Sequence, residues 1–119
     1  MNWYVAKIVF RIISGDDDRS AQFDEQLRLI QAKDEDEAFG KATQIGRDEE
    51  DSFMNHRNEQ VRWSFINIPE LNKLPSLTDG VEIYSKVNEY DNAKRFIDTV
   101  NKKAGNIGTA FFKQLSEAV

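Results

Sequence analysis

The chain has 119 residues and a mass of 13.8 kDa, and its 39% hydrophobic content suits one small core rather than two domains. Sixteen Lys and Arg against 21 Asp and Glu give a net charge of -5 and a pI near 4.9. That balance weighs against sequence-independent nucleic-acid binding, and the lack of cysteine excludes disulfide frameworks, thiolate catalysis and Cys-ligated zinc. In chain order, residues 3–13 alternate, with Tyr4, Ala6, Ile8, Phe10 and Ile12 on one face and Lys7 and Arg11 on the other. This pattern predicts a strand with one buried and one mixed face. Ser14 and Gly15, followed by Asp16, Asp17 and Asp18, read as loop chemistry. A second strand is predicted over 23–32, with Leu27 and Leu29 inward, although Ile30 breaks the alternation.

Asp34 has the chemistry of an N-cap, with Glu37 three residues on. The helix it starts is expected to carry Ala38, Phe39, Ala42, Ile45, Gly46 and Phe53 on one stripe and to end in the polar residues 55–60. Val61, Trp63 and Phe65 alternate with Arg62 and Ser64, predicting a third strand that reaches Ile68 and is stopped by Pro69. Leu71, Leu74 and Leu77 suggest a short helical turn over the core. Asp79 and Gly80 signal a turn into a fourth strand bearing Val81, Ile83, Ser85 and Val87. Asp91 is then expected to cap a second helix with the stripe Ala93, Phe96, Ile97 and Val100. Ala104, Gly105 and Gly108 read as a helix end and a connector. The expected fold is therefore α+β: a four-stranded antiparallel sheet in ββαββα order, helices packed on it, strand order 2-1-3-4. Residues 1–103 form the domain in this reading, and 104–119 a C-terminal apolar helical segment.

Several groups of residues taken together resemble the bacterial family catalogued as domain of unknown function 4288. They are Trp3-Tyr4-Val5-Ala6-Lys7, Leu29-Ile30-Gln31-Ala32 leading into Glu37-Ala38 and Ala42, Val61-Arg62-Trp63-Ser64-Phe65, and Asp79-Gly80-Val81-Glu82. The likeness covers roughly residues 2–88, most of a small domain. It implies a compact α+β domain and carries no catalytic residues.

The chemical motifs are few. His56, the single histidine, has Glu59 three residues later, which falls short of a metal ligand set and leaves general-base work or a plain loop residue. The Asp16-Asp17-Asp18 run lacks EF-hand spacing, since Ala21 and Leu27 occupy the glycine and glutamate positions. No nucleophile elbow, P-loop or dinucleotide fingerprint occurs, and no metal or cofactor is expected.

Three surfaces remain as candidates. The mixed sheet face is expected to display Lys7, Arg11, Arg28, Arg62 and Tyr84, either as a face covered by the C-terminal segment or a second subunit or as a binding face for an anionic small ligand or an acidic protein, single-stranded nucleic acid being opposed by the pI. Residues 34–51 hold eight acidic and two basic residues, so this stretch is net -6 and the rest of the chain +1. Such a helix is either a solvated face or a docking site for a basic protein. Ile107, Phe111, Phe112 and Leu115 form an apolar set that completes the core or seals a homodimer interface. No apolar run is long enough to cross a bilayer, since Lys7 interrupts residues 4–10, and no secretory leader is evident, so a cytoplasmic location is expected. The leading functional expectation is a small non-enzymatic binding protein acting as a homodimer. The alternatives are an immunity- or antitoxin-like protein using the acidic helix, and a small enzyme with a pocket between sheet and helix.

Overall fold

The structure, a computed structural model, describes residues 1–15 and 21–117, with Phe112 and Ser116 described by backbone alone. Along the chain run β1 (Asn2–Ser14), β2 (Gln22–Ala32), α1 (Glu35–Asp48), β3 (Asp51–Met54), β4 (Gln60–Lys73), α2 (Ala93–Ile107) and α3 (Thr109–Glu117). The chain divides into two compact units, Met1–Ser85 and Lys86–Val119. The first contains the sheet and α1, and the second contains α2 and α3.

The first unit is an antiparallel four-stranded sheet in the order β2-β1-β4-β3, an α+β architecture. Its element order is ββαββα, with α3 following. The even-numbered residues of β1 explain the core. Tyr4, Ala6, Ile8 and Phe10 are buried on one face, and Ile30 and Ala32 of β2 join them there across the ladder. Helix α1 lies over this face and packs against β1, β2 and β4. Its buried stripe is Ala38, Ala42 and Gly46, three small residues at i, i+4 and i+8 that let the helix backbone approach the sheet closely. Phe10 sits at the centre, with Trp63 and Phe65 at ring-centroid distances of 6.1 Å. Truncating such a fully buried aromatic costs about 3–5 kcal/mol.

Helix α1 begins where the sequence places it. Asp34 Oδ1 accepts the Glu37 N–H at 2.9 Å, and Glu37 Oε1 accepts the Lys33 N–H at 3.4 Å. It ends earlier than the apolar stripe suggests. Glu49 is the C-cap, and Phe53 belongs to β3, an edge strand exposed at all four positions. Three acids in succession after Asp48 oppose the negative end of the helix dipole, which favours termination there. Residues 55–59 are therefore the hairpin loop between β3 and β4 rather than a helix end. Asn55 Oδ1 accepts the N–H groups of Arg57 and Glu59 and so closes the loop, with Asn58 at φ 60°.

Strand β4 does not stop at Pro69 but continues to Lys73. The register against β1 shifts between Lys7 and Val9 and again between Val9 and Phe10, so Ile68 and Pro69 together oppose Ile8. A bulge accommodates a proline because the ladder is already broken there. Leu71 consequently lies in β4 against the core rather than in a helical turn. Leu74 is buried and donates its N–H to the Trp3 carbonyl at 2.8 Å, and Leu77 is exposed. The turn at Asp79 and Gly80 forms, with Gly80 at φ +83° and the Val81 N–H bonded to the Thr78 carbonyl. Residues 81–87 form no strand. The place beside β4 is taken by β3, and Ile83 and Val87 are exposed, so the apolar alternation there buries nothing.

In the second unit Asn92, not Asp91, caps α2, accepting the Arg95 N–H at 3.0 Å. Tyr90 stacks on Phe96 at 4.3 Å and fixes the entry of the chain into the helix. Helix α2 runs through residues 103 and 104 to Ile107 before Gly108 ends it, so the boundary expected at 103/104 falls inside a helix.

Candidate functional site

Cross-strand register decides which side chains share the sheet face opposite α1. In β1 the odd-numbered residues point there, and the partners Lys7↔Leu27, Arg11↔Phe23 and Val5↔Leu29 bring odd-numbered β2 residues to the same face. From β4 the partners Lys7↔Glu70, Arg11↔Ser64 and Ile13↔Arg62 add Glu70, Ser64 and Arg62. Lys7, Arg11 and Arg62 therefore share this outer face as expected. Arg28 does not. It lies opposite Ala6, on the α1 face, where it pairs with Glu49 just past the helix C-terminus. Leu27 and Leu29, expected inward, are instead on the outer face and about half exposed, together with Phe23.

The cations of the outer face are spread along it, with Arg62 of β4 diagonally next to Arg11 and Lys7 farther along β1. Lys7 and Arg11 are four residues apart on one strand, about 13 Å. Lys7 is already engaged by two carboxylates, Glu70 at 3.1 Å and Glu25 at 3.8 Å. The hydrogen bond to Glu70 holds the Lys7 ammonium above its ordinary pKa, outweighing the opposing cost of desolvation, and Tyr84 adds to the rise. The Tyr84 ring lies under the Lys7 ammonium at 5.3 Å, so the chain after β4 returns across this face at its Lys7 end. Val5, also on this face, is buried. Arg11 Nε is buried without a hydrogen-bond partner among the described residues. The face leaves open Phe23 (54% exposed), Leu27 (46%) and Leu29 (52%) on edge strand β2, with the exposed Glu25 between Phe23 and Leu27 and the exposed Arg62 on β4.

The acidic stretch is not one helix face. Glu35, Asp36 and Glu37 lie in the first turn of α1, where the dipole favours them. Past the helix end, Glu49 pairs with Arg28 and Glu50 accepts the Phe65 N–H at 3.0 Å, so both tie the helix exit to the sheet.

Residues 3–85 match the family model described as Domain of unknown function (DUF4288), a match that ends where the first unit ends. The chain belongs to this family. No curated protein and no solved structure matches it. The family description assigns no activity, so the DUF4288 fold brings no catalytic residues with it.

His56 of this DUF4288 domain sits exposed in the β3–β4 loop, beside a shallow concavity of about 290 Å³ lined also by Ile12, Ser14, Asn55, Arg57 and Glu59. Glu59 accepts from Asn55 there, and no side chain orients the imidazole among the described residues. No group of three or more His, Asp or Glu that could hold a metal ion occurs among the described residues. The Asp16-Asp17-Asp18 run lies outside the described residues. Among the described residues no helix is long and apolar enough to cross a membrane.

The four C-terminal candidates lie at the end of α2 and in α3. Ile107, Phe111 and Leu115 are exposed, and the side chain of Phe112 lies outside those described. The apolar row that sequence reasoning missed is Phe23, Leu27 and Leu29. The signal was present, because Ile30 and Ala32 pair with Tyr4 and Asn2 and so put the odd-numbered leucines on the opposite side.

Proposed function

We propose that this DUF4288 chain is a small non-enzymatic interaction protein that acts as a homodimer through the outer face and edge of β2. The observation that carries the reading is the row Phe23, Leu27 and Leu29, half exposed on a regular strand at the margin of the sheet. Isolated surface leucines are ordinary, but Leu27 and Leu29 adjoin on one face of the strand, with Phe23 beyond Glu25, and burial against a partner would stabilise these apolar side chains. The nearby charges favour the same reading over an anion site. Lys7 is neutralised by Glu25 and Glu70, and Arg28 faces the helix.

Light scattering coupled to gel filtration tests the proposal. The wild-type chain should elute with twice its 13.8 kDa mass, and Leu29→Glu, which places a carboxylate in the row, should elute at 13.8 kDa with unchanged circular dichroism. A wild-type mass of 13.8 kDa throughout the micromolar to millimolar range would end the homodimer reading.

A further inference from the structure

The two margins of the sheet are built differently. On the β3 side the edge is blunted: β3 has four residues, and β4 beyond it carries Pro69, two register shifts and a Glu50 carboxylate on the Phe65 N–H. Short strands, prolines and bulges are the usual devices that prevent an edge from pairing with another chain. The β2 edge has none of them. It runs for 11 residues without proline or lysine and keeps one register against β1 throughout. A regular edge of this length, carrying exposed Phe23, Leu27 and Leu29 beside the charged Asp24, Glu25 and Arg28, can template another strand that matches those charges.

We infer that the occupant of this edge is β2 of a second copy, paired antiparallel about a two-fold axis through Gln26. The inference rests on the homodimer reading above and specifies its contact. Two of the residue pairs that β2 would make about that point are complementary, Asp24 with Arg28 and Phe23 with Leu29. Pairing centred on Gln26 sets Asp24 opposite Arg28 of the second copy, and Arg28 opposite its Asp24, on the α1 face. On the outer face it sets Phe23 opposite Leu29 and Glu25 opposite Leu27, each twice by symmetry, so the two apolar ends of the row, Phe23 and Leu29, meet between copies. Neighbouring registers fail. Centring on Glu25 opposes the two Glu25 carboxylates, and centring on Leu27 sets Asp24 against Ile30 and leaves Arg28 facing Gln26.

Within one chain, Asp24, Gln26, Arg28 and Glu49 already form a hydrogen-bonded series along the α1 face. The Arg28 guanidinium uses Nε and Nη2 in it, and Nη1 has no bond among the described residues. Nη1 is therefore the donor that Asp24 of the second copy would meet. The overlap ends at the right place as well. Pairing about Gln26 spans residues 22–30, and the next carbonyl, that of Gln31, is already taken by Lys41 Nζ at 2.7 Å.

The chain has no cysteine, so Gln26→Cys introduces a single thiol on the proposed axis. Directly opposed residues in an antiparallel pair have Cα atoms about 4.5–5.5 Å apart, within disulfide reach. Under mild oxidation Gln26→Cys should become a reducible covalent dimer, whereas Gln22→Cys, about 26 Å from its counterpart by strand rise, should not. A charge-swap pair provides a second readout. Asp24→Arg and Arg28→Asp should each run as monomers and form a heterodimer when mixed, because each supplies what the other lacks. Circular dichroism of each variant establishes that it is folded. A dimeric wild type that gives no Gln26→Cys cross-link and no heterodimer overturns this contact and leaves the homodimer reading standing. A monomeric wild type overturns both.

Discussion

Gly46 tests how closely α1 is seated on the sheet. A Cβ added at Gly46 would lie 2.3 Å, 2.4 Å and 3.0 Å from Cδ1, Cε1 and Cγ of Phe65. Ordinary carbon contacts are about 3.5–4 Å, so the ring or the helix must move by about 1 Å. The ring is not free to retreat, because Phe10 meets it edge-on at 6.1 Å. Overpacking of this kind costs about 1–3 kcal/mol, and replacing an interior helical glycine by alanine returns about 1 kcal/mol. Gly46→Ala should therefore lose the benefit of its better helix propensity and destabilise by up to about 2 kcal/mol. Gly40 lies in the same helix with nothing within 4 Å of its Cβ position, so Gly40→Ala isolates the propensity gain. At about 4–8 °C per kcal/mol, Gly40→Ala should raise the melting temperature by about 4 °C, and Gly46→Ala should melt at least about 4 °C below Gly40→Ala. Urea unfolding of both variants checks the free energies directly. In a Phe65→Leu background the Gly46→Ala penalty should shrink, since the clashing ring is gone. A Gly46→Ala protein stabilised as much as Gly40→Ala would refute the close seating of α1.

Removing the Asp34 cap by Asp34→Ala should cost about 1 kcal/mol, read as a lower urea midpoint, because the Glu37 N–H loses its acceptor. Glu70→Gln should bring the Lys7 pKa back toward its ordinary value, measurable by NMR titration of the ammonium. The sign follows from linkage: a Lys whose folded pKa is raised contributes stability that is full below its unfolded value and lost as pH rises through the folded one. Wild type and Glu70→Gln should therefore differ in stability at pH 8 and converge at strongly alkaline pH. His56→Ala should leave the melting temperature and the solution mass unchanged, since His56 is exposed in a loop.

Much of the fold was readable because burial and local chemistry agree. The alternation of β1 marks the correct buried face, and Asp34 with Glu37 marks the start of α1. The failures have physical causes. In β2 the large apolar residues Leu27 and Leu29 point away from the core while Arg28 points toward α1, because Glu49 is waiting there to pair with it. Reading hydrophobicity as burial therefore inverted the strand and put Arg28 on the wrong face. Strand β3 is four exposed residues whose one aromatic, Phe53, falls on the helical spacing of α1 and so looked like its continuation. Pro69 reads as a stop in isolation, and only the bulge opposite Ile8 makes it tolerable. Residues 81–87 alternate without burying anything, which a single sequence does not distinguish from an edge strand. Of the candidate sheet face, Lys7, Arg11 and Arg62 came together as read, with Tyr84 over Lys7. The apolar row beside them became visible only once register was known.

Amide hydrogen exchange along residues 22–32 tests the pairing of β2 most directly. In a lone edge strand, alternate N–H groups bond to β1 and the rest face solvent, so protection alternates along the strand. Pairing with a second copy protects the outward set as well. The account predicts that this outward set between residues 22 and 30 gains protection as protein concentration rises, and that Asp24→Arg abolishes the gain. Alternating protection that stays the same from micromolar to millimolar protein would contradict it.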